Sequence, residues 1–189
     1  MLMHKIRFLW SFHKIHHSAE VLTPMTVFRT HPIEGVIFVL RSTITQGIII
    51  GFFYYITAGN LSLVTIIGAN LFSFTFHLLG SNLRHSHISI SYWKWLERIF
   101  ISPAQHQIHH SIKKEHHDKN FGVTFAFWDL IFKSLVFSKF DQKLVFGLKK
   151  NERTSKYNII SIYLSPFIEV KNLFINYIYY VKNIIHRIY

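Results

Sequence analysis

From Ser42 to Leu83 the chain contains no Asp, Glu, Lys or Arg, although 21 basic and 9 acidic residues flank that stretch. A run of this kind is hard to place in a water-soluble fold. It divides at Thr57-Ala58-Gly59-Asn60, a sequence suited to a turn. The arms on either side, about residues 33–56 and 61–79, each approach the roughly 20 residues a helix needs to cross a hydrocarbon core of about 30 Å. Lipid offers no partner to an open backbone, so each arm is expected to be a helix and the pair a transmembrane hairpin. A hairpin buried in a soluble core is the competing reading.

The net charge of +12 permits either nucleic acid or an anionic membrane surface as partner. All the basic residues lie outside the uncharged block, an arrangement foreign to a nucleic-acid domain, so no nucleic-acid partner is expected. Both open ends of the hairpin, and with them the basic residues, fall on one side of the membrane. The positive-inside rule makes that side cytoplasmic, in a bacterial inner membrane or the endoplasmic reticulum.

There is no cysteine, which removes disulfides, thiolate zinc sites and iron–sulfur clusters. Histidine is the outlier, with 14 residues against 9 acidic ones. Imidazole suits Zn, Cu, Fe and Ni, so metal chemistry here runs on nitrogen ligands.

The histidines are patterned. His13-Lys14-Ile15-His16-His17-Ser18 recurs as His106-Gln107-Ile108-His109-His110-Ser111. Positions i, i+3 and i+4 share a helix face, so each copy is expected to present three imidazoles to one point. His4, His85, His87, His116 and His117 fall nearby and on the same side of the hairpin. A catalytic zinc takes three protein ligands, and so large a set suits two metals with open positions better. Iron is favoured over zinc, because so many neutral donors at a membrane fit dioxygen activation better than hydrolysis. A zinc hydrolase is further weakened by the absence of His-Glu-x-x-His. A metal transporter would carry polar or ionisable groups deep within several spans, whereas nearly all the histidines lie outside the two apolar arms. His31, before Pro32, reads chiefly as a turn residue and His186 as a surface one. Glu34, Asp118 and Asp129 are candidates to orient ligand imidazoles by accepting their second N–H.

Together the two His-x-x-His-His boxes, Asn82-Leu83-Arg84-His85-Ser86-His87 and the Ser102-Pro103-Ala104-Gln105 lead-in resemble the fatty acid hydroxylase / sterol desaturase superfamily. Arg29-Thr30-His31-Pro32-Ile33-Glu34, Asp118-Lys119-Asn120-Phe121-Gly122 and Trp128-Asp129 strengthen the resemblance, which covers about residues 1–148. It implies an integral-membrane oxygenase with two non-haem irons, acting with dioxygen on a C–H bond of a sterol, fatty acid or related lipid and supplied with electrons by a reductase or cytochrome. The implied metal ligands are His13, His16, His17, His106, His109, His110, His85 and His87. His4 matches the second histidine of the family's opening His-x-x-x-His box, and His117 is an implied extra ligand or partner of one. The first histidine of that box and the spans before it have no counterpart, so an amino-terminally truncated, catalytically impaired homologue is the alternative. The family's Phe-Gly-Thr after Trp-Asp is here Phe132-Lys133-Ser134.

The expected fold is all-α and integral to the membrane: a transmembrane hairpin, a cytoplasmic histidine-rich helical cap and interfacial helices. One interfacial helix is expected over Val123–Phe137, and a second, amphipathic one over Ser165–Tyr189 beyond a charged linker at Lys149–Lys156. Residues 1–148 would form the hydroxylase-like domain and 149–189 the linker and tail. Trp93 and Trp95, beside Tyr92 and Lys94, read as an interfacial aromatic belt.

Overall fold

The computed structural model describes residues 1–139, 142–152 and 158–188, and only the backbone of Leu79, Ser81, Asn82, Asn151 and Ile188. Among the described residues all regular structure is helical, apart from isolated bridges joining Phe100 to Phe125 and Ser111 to Phe146.

Helix α1 (Leu2–Lys5) and helix α2 (Arg7–His17) are divided by Ile6 in extended conformation, which folds α1 back against α2. Helix α3 (Pro32–Ile56) starts on Pro32, whose fixed φ suits the first turn. The His31 side chain caps it, Nδ1 accepting from the Ile33 amide at 3.1 Å. It stops where Ala58 (φ 50°) and Gly59 (φ 84°) take left-handed backbone, and Ser62 then caps helix α4 (Leu63–Arg84). The predicted turn lies where it was expected. At 1.5 Å per residue the two helices are about 37 and 33 Å long.

Among the described residues α3 is the one helix long and apolar enough to cross a membrane; the apolar part of α4, Leu63–Leu78, is shorter. None of the apolar window of α3 is buried, and Ile48, Phe52, Leu71 and Phe72 all face outward. The hairpin is therefore not buried against the rest of the described residues. So much contiguous apolar surface needs a partner other than water. Both open ends of the pair return to the body: α3 begins against α2, and α4 ends against α5 (Pro103–His109) and the single turn Pro24–Phe28.

That body is small and polar inside. Phe12, Ile15, Leu22, Ile101, Ala104 and Ile108 are buried beside His16, His85, Glu97, Gln105 and Asn120. Helix α5 is only two turns long and is secured from outside. Ser102 and Gln105 form a capping box. Asn120 Nδ2 donates to the Gln105 and Val136 carbonyls at 3.0 Å, and its Oδ1 accepts from the Val136 amide at 2.7 Å.

The expected interfacial helix over Val123–Phe137 is not formed. Only Phe127–Ile131 is helical (α6). The Asp129 carboxylate, 1% exposed, accepts from the Phe121 and Gly122 amides at 2.8 Å each and from Ser134 Oγ at 2.5 Å. Those bonds fold the segment into a knot of turns in which Lys133 is left-handed (φ 57°). Helix α7 (Ile159–Ile188) begins earlier than its predicted start at Ser165 and contains Pro166. It packs on α2. Lys14 donates to Glu169, Phe12 meets Phe167 with ring centres 5.4 Å apart, and His31 Nε2 reaches the Tyr163 carbonyl at 3.0 Å. Of the expected linker, Lys150–Glu152 form one turn, and residues 153–156 lie outside the described residues.

Candidate metal centre

The histidines gather into two groups of four. His4, His13, His17 and His109 form the first; His16, His85, His106 and His110 form the second. Within each group one nitrogen per residue lies within 4.8 Å of all the others. The boxes do not converge as whole triplets, as their spacing led one to expect. Each is divided: α2 sends His13 and His17 to the first group and His16 to the second, while the second box sends His106 and His110 to the second group and His109 to the first. The cause is helical geometry, since i+3 and i+4 stand about 100° apart around the axis. Each group is thus two histidines of one box and one of the other, completed by His4 or by His85.

Contacts within the groups are close. His13 Nε2 is 3.1 Å from His4 Nε2. His85 Nε2 lies 3.1 Å from His16 Nε2 and 3.0 Å from His106 Nε2, which is 3.2 Å from His110 Nε2. The groups touch where the rings of His17 and His110 stack at 4.4 Å.

The donor set fits a metal. Burial, reinforced by neighbouring histidines, holds the proton affinities of His4, His16, His17, His106 and His110 far below the ordinary imidazole range. Burial also lowers His109, to about 4, against the opposing effect of its bond to the Lys119 carbonyl at 2.8 Å. Neutral imidazoles with lone pairs turned inward are what a metal requires. His17 Nε2 is buried with no hydrogen-bond partner among the described residues.

Two implied ligands lie outside both groups. His87 is exposed. His117 is exposed too, with Nε2 3.3 Å from the Ile112 carbonyl; it lines a cavity of about 250 Å³ shared with His4, Trp10, His17 and His109. His77 and His186 are exposed on their helices. Of the three carboxylates considered as orienting groups, only Glu34 meets a ligand candidate: Oε1 is 2.7 Å from His13 Nδ1. Asp118 pairs with Lys5 at 2.5 Å, and Asp129 serves backbone amides. The sequence reading passed over Gln107, whose Nε2 donates to the Ser86 and Ile88 carbonyls at 3.0 and 3.1 Å and ties α5 to the His85 segment. It also passed over Gln105, although Ser-x-x-Gln is a recognisable capping signal.

Comparison with known proteins identifies the family. The fatty acid hydroxylase family matches over residues 1–134. Alkylglycerol monooxygenase of Caenorhabditis elegans is 26% identical over 152 residues, which are 80% of this chain and 27% of that protein. The enzymes of that name from Danio rerio and Homo sapiens are each 26% identical over 147 residues, covering 77% and 78% of this chain and 28% and 29% of theirs. The chain thus spans under a third of the length of these curated relatives. No solved structure matches it. On the family match and the paired boxes together, the chain belongs to the fatty acid hydroxylase family.

Proposed function

We propose that this chain carries the metal centre of a membrane-bound lipid monooxygenase, with two non-haem irons held by the two histidine groups. The observation that carries the reading is the pair of four-imidazole groups in contact, built by exchange between two boxes. Bound iron would supply the one-electron chemistry that dioxygen requires and zinc lacks. The chain's own part is to hold neutral imidazoles in a dry pocket, to fix their orientation through Glu34 and the Lys119 carbonyl, and to admit small molecules through the cavity beside His4 and His109.

The exposed apolar faces of α3 and α4 support their placement in the bilayer as a hairpin. The ends that return to α2 and α5 would set the histidine cap on the cytoplasmic side. A lipid then reaches the cap from the membrane plane, and a reductase or cytochrome delivers electrons from the cytoplasm. The names of the relatives make an alkylglycerol ether the first substrate to try, with hydroxylation rather than desaturation as the outcome.

The test is reconstitution. Metal-free protein in nanodiscs, supplied with Fe(II) under nitrogen, is expected to bind about two irons per chain and to oxidise lipid only after dioxygen and reductant are added. Failure to retain iron, or equal turnover with zinc and no dioxygen, overturns the reading.

A further inference from the structure

The repeat that relates the two boxes is not matched in what surrounds them. His13 and His106 are equivalent by the repeat, each the first histidine of its box. His13 Nδ1 is bonded to Glu34 Oε1 at 2.7 Å, and Glu34 is 1% exposed. His106 Nδ1 is buried and has no hydrogen-bond partner among the described residues. The histidines that cross between groups, His109 and His16, differ in the same direction. His109 Nδ1 is held by the Lys119 carbonyl at 2.8 Å, while His16 Nδ1 is buried with no hydrogen-bond partner among the described residues.

The buried Arg84 guanidinium acts on His106. A carboxylate that accepts the outer N–H of a ligand imidazole fixes its tautomer, turns its lone pair inward and raises its basicity. In a dry site its negative charge also offsets part of a dication's. The second Glu34 oxygen is buried with no partner among the described residues, so no other donor there competes with His13 for the carboxylate.

We infer that the two metal positions are inequivalent: the position of His4, His13, His17 and His109 binds metal more tightly and fills first, with Glu34 as its positioning residue. The inference rests on the two-metal reading above.

The experiment is a Co(II) titration of metal-free protein in nanodiscs, followed by ligand-field absorption and bound cobalt. Wild type should take up two equivalents whose dissociation constants differ by about tenfold or more. Glu34→Gln keeps the shape and an acceptor for the His13 N–H but removes the charge. It should weaken the first equivalent by about 10- to 100-fold and shift its absorption, leaving the second unchanged. His85→Ala should retain one equivalent at the tighter constant, and His4→Ala one at the weaker; that comparison holds even if Glu34→Gln folds poorly. Two indistinguishable equivalents in wild type, or a parallel loss of both in Glu34→Gln, overturns the inference. Fewer than two equivalents in wild type overturns the two-metal reading itself.

Discussion

His85 Nε2 stands 3.1 Å from His16 Nε2, although the whole of α3 and α4 separates them in the chain. This contact closes the second group, whereas His87, two residues on, is exposed. His85→Ala is therefore expected to lower the metal content of purified protein from about two ions per chain to about one. His87→Ala should leave it at two. Elemental analysis of both variants checks the pair, and equal losses would refute the assignment.

Acid should unfold the metal-free protein early. Unfolded histidines titrate near 6.5, and in the fold His109 is lowered to about 4, with His16, His17, His106 and His110 also well below the ordinary range. The unfolded chain then binds more protons than the folded one. Stability is full above about pH 6.5 and falls as pH drops from there through about 4, by up to about 1.4 kcal/mol per pH unit for each such histidine. Melting temperatures at pH 7.5, 6 and 5 should decline steadily. A maximum below pH 6 would contradict this account.

The turn around Asp129 offers two opposite substitutions. A Cβ on Gly122 would lie 2.5 Å from the Phe125 carbonyl oxygen and 2.9 Å from Asp129 Oδ2. Backbone cannot yield as a flexible side chain can, so Gly122→Ala should cost about 2–4 kcal/mol. Lys133 occupies the left-handed conformation (φ 57°), which favours glycine. Lys133→Gly should gain about 0.5–1 kcal/mol by relieving it. Chemical denaturation of the two variants should move in opposite directions.

Lys14, between the first two histidines of its box, is 7% exposed in its side chain and is neutralised by Glu169 of α7. Glu169→Ala would leave a buried cation without its carboxylate. Because Glu169 is itself 35% exposed, the loss should be about 1–3 kcal/mol, below that for a fully buried pair. Glu169→Ala with Lys14→Met should recover most of it. No loss in Glu169→Ala, or no recovery in the double variant, would refute this account of the pair.

The helical pair and the histidine boxes were legible in the sequence for the same reason: each is a property of neighbouring residues. Absence of charge between Arg41 and Arg84 needs no knowledge of the rest of the chain, and neither does a triplet written twice. The division of the triplets was not legible. It depends on how α2 and α5 are turned toward each other, which the bonds of Asn120, Gln107 and Glu34 to other segments of the chain settle. Val123–Phe137 misled for a related reason. Its apolar content suits a helix, but one carboxylate, Asp129, collects two backbone amides and the Ser134 hydroxyl and bends the segment into turns.

The exchange of histidines between boxes bears on how the protein is made. His16 leaves the ribosome before α3 and α4, whereas His85, His106 and His110 follow them. The first group, too, waits for His109 to join residues synthesised before the hairpin. Neither metal position exists in the nascent chain until both long helices have been laid down and the second box has emerged. Metal acquisition by the proposed centre would thereby be a late event in biogenesis, and a chain stalled within the hairpin would hold imidazoles but no centre.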